Sequence, residues 1–275
     1  MTQPNTSESI STRPVYFLDT NAIHYALTYL EKAKTIELPP FFDSKQIVEI
    51  SRAFSERIPK GIADNYVKGA RILGFLIEKS NIDGDDALFY MSQMSNYEIL
   101  HGNFEGKVHF KLAEAGFSYR KRQTDRDLSV IALKYLDTED FRDCTDYLDS
   151  GKNFINDHGK IQINILEEEN GRYDEISKIC DFLQRNTYLD VIDSWIYACA
   201  LVVQATALIS SDTQLLQIVE RLENPNSDPY FIHCASELTK FTNRILGFEC
   251  VLPKPMKMDN RFFDGTLEKW DSITE

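Results

Sequence analysis

The sequence is poor in several things, and each shortage narrows what the chain can be. No apolar run approaches the roughly 18 residues that a membrane-spanning helix needs, so a membrane partner is not expected. The opening MTQPNTSESISTRP lacks the charged-then-apolar layout of a secretory signal, and residues 1–13 read as a mobile tail on a soluble protein. Cysteine is sparse: Cys144, Cys180, Cys199, Cys234 and Cys250 are odd in number, widely spaced and form no CxxC pair. That argues against zinc and dithiol redox chemistry and for reduced thiols in a cytoplasm. Positive charge is in deficit, with 30 Lys and Arg against 43 Asp and Glu and a net charge of −13. A protein that coats duplex nucleic acid by neutralising phosphates needs the opposite balance. An enzyme that gathers acids around cations does not.

What is present is an alternation of strands and helices. Pro14-Val15-Tyr16-Phe17-Leu18 is apolar and β-prone, and it runs through Asp19-Thr20-Asn21 into a helix marked by Ile23, Ala26, Leu27 and Leu30. A second strand, Ala87–Met91, leads into a helix over 92–102 with Gly102 as its stop. A helix over about 187–203 then feeds a strand Thr206–Ser210, followed by Asp212 and a helix to about Arg221. Phe248–Leu252 reads as a last strand before Pro253, and 253–275 as a C-terminal tail. The stretches of about 43–80 and 104–185 carry apolar residues at helical spacing and read as helical insertions. The expected fold is α/β: a three-layer α/β/α sandwich around a central parallel sheet of four or five strands, in a single domain over 14–252. A composition that is 43% hydrophobic can furnish the core for it.

Ligands of an open parallel sheet sit beyond the carboxyl ends of its strands, so the acids placed there are the first candidates. Asp19 ends the first strand, Asp212 follows Thr206–Ser210, Glu98 lies in the helix after the second strand, and Asp193 opens the long helix before the third. Carboxylates gathered this way repel one another, and a hard divalent cation relieves the repulsion. Mg2+ or Mn2+ is therefore implied, and with it phosphodiester hydrolysis by a metal-activated water.

The segments VYFLDTN, SNYEILHG and DSWIYACALVVQATALISSD together resemble the PIN-domain nuclease family. They match, in order, its apolar strand ending in Asp-Thr, its helix with Glu followed by two apolar residues and a Gly, and its Asp-x-x-Ile-x-Ala-x-Ala helix leading through a strand to Ser-x-Asp. The resemblance implies a PIN-like fold and a metal-dependent ribonuclease, with Asp19, Glu98, Asp193 and Asp212 as catalytic, metal-binding acids. Thr20, Asn21 and Ser210 stand at positions that accompany them. The matching segments cover 35 of the 275 residues. Some 78 residues lie between Asp19 and Glu98 and 94 between Glu98 and Asp193, longer gaps than the family's, which the two insertions account for.

Each acid also has a plain structural reading. Asp19 and Asp212 suit helix N-caps, and Glu98 suits a solvated helix face. Asp190, three residues before Asp193, suits a cap for the same helix, and either of the two is a candidate ligand. His24 and His101 read as ordinary helix histidines. The densest basic cluster, Tyr119, Arg120, Lys121 and Arg122 with Arg126, is the candidate RNA-guiding surface. A haloacid-dehalogenase-type phosphatase would carry a second Asp where this chain has Asn21, and a dinucleotide site would need glycines after the first strand, where none precedes Gly61.

The expectation is hydrolysis of single-stranded RNA. The alternatives are a non-catalytic module of the same fold that binds RNA or protein, and a ribonuclease toxin held inactive by a small antitoxin-like protein. A homodimer is compatible with all three.

Overall fold

Val15–Leu18 forms β1, the central strand of a parallel sheet in the computed structural model of the chain. The structure describes residues 13–39, 46–57, 60–80, 87–124, 136, 138–159, 161–226 and 228–258. After β1 come α1 (Thr20–Thr35), α2 (Ile47–Arg57), α3 (Lys60–Ser80), β2 (Leu88–Met91), α4 (Gln93–Glu114), α5 (Tyr119–Thr124) and α6 (Thr138–Gly159). Then follow β3 (Ile163–Ile165), α7 (Leu166–Asn170), α8 (Tyr173–Asn186), α9 (Val191–Val202), β4 (Ala207–Ser210), α10 (Thr213–Glu223), α11 (Pro229–Leu246) and β5 (Lys254–Lys257). The strand order is β3-β2-β1-β4-β5 and every pairing is parallel, so the chain is a mostly helical α/β protein with a five-stranded sheet.

β1 and the first three residues of β4 are apolar because successive side chains leave on opposite sides and both sides are buried. Tyr16 and Leu18 of β1, with Ala207 and Ile209 of β4, join a core cluster with α1, α2, α3, α4 and α6. Phe17 and Leu208 join a separate cluster with α7 to α11. In the first cluster α1 and α3 pack closely enough that a Cβ on Gly69 would lie 2.0 Å from the Tyr25 carbonyl oxygen. Only glycine fits that contact.

The strand-to-helix units around Asp19, Ser92 and Asp212 form as the sequence predicts, and the 43–80 stretch is helical over its described residues. Three expectations are corrected. The 104–185 stretch is not a purely helical insertion, because it contains β3, which pairs with β2 through Phe89, Tyr90 and Met91 and forms one edge of the sheet. Gly102 does not stop α4, which runs through it to Glu114; the left-handed turn falls at Gly116, with φ of 85°. The last strand is Lys254–Lys257 rather than Phe248–Leu252. Phe248–Leu252 instead returns from the left-handed Gly247, tied down where the Cys250 N–H donates to Asn243 Oδ1 at 2.7 Å. The domain therefore extends past 252, and Lys254–Lys257 belongs to the sheet, not to a tail. Pro255 is tolerated there because an edge strand has one side that forms no ladder.

Residues 1–12 and 259–275, within the two expected tails, lie outside the described residues. Among the described residues no helix is long and apolar enough to cross a membrane, and all five cysteines are buried free thiols.

Candidate functional site

In the order β3-β2-β1-β4-β5 the chain winds outward in opposite senses on the two sides of the β1–β4 pair, which makes that pair the topological switch point. In open parallel sheets ligands sit at such a point, beyond the carboxyl ends of the strands. Asp19 follows β1 at that end of the sheet and Ser210 ends β4 beside it.

The Asp19 N–H continues the ladder to the Ile209 carbonyl at 3.0 Å, which fixes the backbone. Its side chain is 3% exposed and fully engaged. Oδ1 accepts the Thr20 N–H at 2.7 Å, the N-cap of α1, and Oδ2 accepts the Ser210 hydroxyl at 2.5 Å. Ser210 Oγ in turn accepts the Asp212 N–H at 2.8 Å, and Asp212 Oδ1 caps α10 through the Leu215 N–H at 2.9 Å. On the other side the Thr20 hydroxyl donates to Glu98 Oε2 of α4. One hydrogen-bonded path therefore joins Glu98, Thr20, Asp19, Ser210 and Asp212, five residues from four separate elements and their flanks.

Asp193 enters this group through charge. Its carboxyl is pushed up to about 7, first by burial and then by the negative charges of Asp190, Asp212, Asp19 and Glu98. Asp19 is pushed up to about 6, again mainly by burial, with Glu98 and Asp212 adding to the rise while the Ser210 and Thr20 hydrogen bonds oppose it. Asp190 is exposed, and its Oδ1 accepts the Asp193 N–H at 2.9 Å as the N-cap of α9. The cap and the member of the acidic group are thus different residues. Asn21 is half-buried in the first turn of α1.

The acids are hard oxygen donors of the kind that Mg2+ and Mn2+ take. Among the described residues no three His, Cys, Asp or Glu side chains approach closely enough to form a ready cage for an ion. Mg2+ characteristically keeps several waters and takes only one or two carboxylates directly. An ion bound by these acids would be held in that water-rich way, through one or two of them directly.

The remaining candidates lie apart. His24 is exposed, and His101 Nε2 stands 3.9 Å from Glu105 Oε1 on the surface of α4. Arg120 and Lys121 are exposed on α5, whereas Arg122 donates to the His109 carbonyl at 2.7 Å. His109 is eleven residues along α4 from Glu98, roughly 16 Å at the helical rise. Arg126 lies outside the described residues.

Sequence reasoning passes over Glu167 in α7. It is 3% exposed and accepts the Ser92 hydroxyl at 2.9 Å, the Gln93 N–H at 2.9 Å, the Trp195 Nε1–H at 2.9 Å and the Cys199 thiol at 3.6 Å. In sequence it is one glutamate in Glu167-Glu168-Glu169, which reads as a solvated run. Two exposed rings also flank the acids along the chain: Tyr97 beside Glu98, 59% exposed, and Tyr188 ahead of Asp190, 76% exposed.

No family model matches the sequence, and no curated protein or solved structure was found to be similar to it.

Proposed function

We propose that the chain is a Mg2+- or Mn2+-dependent ribonuclease, acting on single-stranded RNA, with a PIN-like three-layer α/β/α sandwich as its fold. The observation that carries this reading is the hydrogen-bonded path from Glu98 through Thr20, Asp19 and Ser210 to Asp212 at the switch point of the sheet. The two core clusters on alternate residues of β1 and β4 support the layered fold.

In this reading Asp19, Glu98, Asp193 and Asp212 hold the ion. A bound divalent ion supplies a water of lowered pKa and neutralises charge on the scissile phosphate. The protein's own part is orientation. Ser210 and the Thr20 N–H fix both oxygens of Asp19, and the Thr20 hydroxyl fixes one oxygen of Glu98, so the carboxylates are aimed before any ion arrives. Tyr97 and Tyr188 offer ring faces on which unpaired bases stack, which favours a single strand over a duplex.

A second reading, a scaffold of the same fold that binds RNA or protein without cleaving, draws on the lack of a ready three-acid cage among the described residues. Titration of the full chain with Mn2+ separates the two. Saturable binding that Asp19→Asn abolishes supports the nuclease, and no saturable binding supports the scaffold.

A further inference from the structure

Burying a carboxylate is unfavourable unless donors surround it. Among the described residues the donors to Glu167 come from two places. Ser92 and Gln93 form the N-terminus of α4, where Ser92 also caps Met94 N at 2.9 Å, and Trp195 and Cys199 belong to α9. The Gln93 N–H is one of the first-turn amides that have no partner within the helix, so its bond to Glu167 Oε2 completes the start of α4. These two helices are in contact with one another, and they carry the second and third acids of the site: Glu98 lies five residues after Gln93, and Asp193 two residues before Trp195. Glu167 itself rides on α7, directly after the edge strand β3. The far edge of the sheet is thereby tied to the start of α4 and the middle of α9.

We propose that Glu167 is a positioning residue for the ion site, holding the first turn of α4 and the middle of α9 in the register that brings Glu98 and Asp193 together. The inference rests on the nuclease reading above. It gives a buried acid outside the quartet a function that packing alone does not require, because an apolar residue would fill the same space with less desolvation. Its carboxylate is instead shared between two helices whose relative placement decides whether two carboxylates meet an ion. Groups that orient metal ligands in this way typically change affinity by about 10- to 100-fold when removed.

Glu167→Gln is the informative change. Oε1 accepts from Ser92, Trp195 and Cys199 while Oε2 accepts from Gln93, so a glutamine amide of equal size must place an NH2 against at least one of these donors. Trp195→Phe removes a single donor and keeps the apolar ring. Binding of Mn2+ to the EDTA-stripped full chain is read by the electron paramagnetic resonance signal of free Mn2+, beside the thermal melt of the same samples. Leu238→Ala, in the core of α11, controls for simple loss of stability.

E167Q is expected to weaken Mn2+ binding about tenfold or more, and W195F roughly threefold, while L238A lowers the melting temperature and leaves the affinity unchanged. Should E167Q fail to give folded protein, W195F decides alone. Wild-type affinity in the folded E167Q, or in W195F if that is the variant in hand, overturns the inference, and so does a loss in L238A as large as theirs. Absence of Mn2+ binding by the wild-type chain overturns the nuclease reading itself, which is a different result from wild-type binding that E167Q preserves.

Discussion

The hydroxyl of Ser210 donates to Asp19 Oδ2 at 2.5 Å across 191 residues of sequence, and it is the only side-chain hydroxyl bonded to that carboxylate among the described residues. Both residues are buried. Ser210→Ala removes the donor and leaves one oxygen of a buried carboxylate without its partner, while the Asp212 N–H loses its acceptor. We expect the ion-free protein to lose about 1–3 kcal/mol of stability at pH 8, where Asp19 is ionised. Urea denaturation of the two proteins at that pH measures the difference.

Asp19→Asn keeps an acceptor for the Thr20 N–H and removes a buried charge. The expected outcome is a folded chain whose melting temperature without added ion equals or exceeds wild type, and whose cleavage of single-stranded RNA in Mg2+ falls at least a thousandfold, an order typical of losing a catalytic group. A gel assay on a labelled single strand checks the second part. Cleavage within tenfold of wild type rules out Asp19 as a ligand.

The raised carboxyls make a directional claim about pH. Asp19 at about 6 and Asp193 at about 7 hold their protons more tightly in the folded chain than the ordinary aspartate value of 3.8 allows in the unfolded one. Folding therefore takes up protons between about pH 4 and pH 7, and this part of the stability is present at low pH and lost as pH rises through 6 and 7. Melting curves of ion-free protein should show a higher midpoint at pH 5.5 than at pH 8. The Asp19→Asn, Asp193→Asn double variant should flatten that dependence, and saturating Mg2+ should raise the midpoint most at pH 8, where the carboxylates are free of protons.

Tyr188→Ala tests the single-strand preference. Base stacking on one ring contributes about 1–3 kcal/mol, so KM for a single-stranded substrate should rise by roughly 5- to 100-fold with kcat little changed. Steady-state kinetics on a single strand and on a matching duplex read it. An unchanged KM, or an equal effect on both substrates, removes Tyr188 from the binding surface.

Gly69→Ala concerns stability alone. The added methyl would meet the Tyr25 carbonyl oxygen at 2.0 Å, so α1 and α3 must separate, and a loss of about 1–3 kcal/mol is expected in the same urea experiment.

The parts of the fold that the sequence announces are those where local pattern and burial agree. Val15–Leu18 and Ala207–Ile209 are apolar because both faces of the central strands are covered, and a residue that caps a helix follows each strand closely. Glu98 is legible by its place after β2. The edges are not legible. β3 is three residues, Ile-Asn-Ile, too short for a period to show, and β5 is Lys-Pro-Met-Lys, polar because an edge strand meets solvent. Phe248–Leu252 has the better strand composition, but its backbone is taken up by the end of α11. Asp190 and Asp193 look equivalent in sequence, and only the capping bond to the Asp193 N–H and the burial of Asp193 tell them apart. Glu167 is hidden for a related reason: its donors are 28 to 75 residues away, a distance at which no local pattern speaks.

The β1–β4 pairing has a consequence for how the protein is made. Asp19 leaves the ribosome early, but Ser210 and Asp212 follow more than 190 residues later, a delay of roughly 10 to 40 s at ordinary synthesis rates of about 5–20 residues per second. Until β4 slots in beside β1, the growing chain carries Asp19 without the Ser210 hydroxyl that its carboxylate bonds in the finished fold. In the nuclease reading proposed above, the acidic group is therefore complete only once Asp212 has been made, and the long excursions between its acids set that delay.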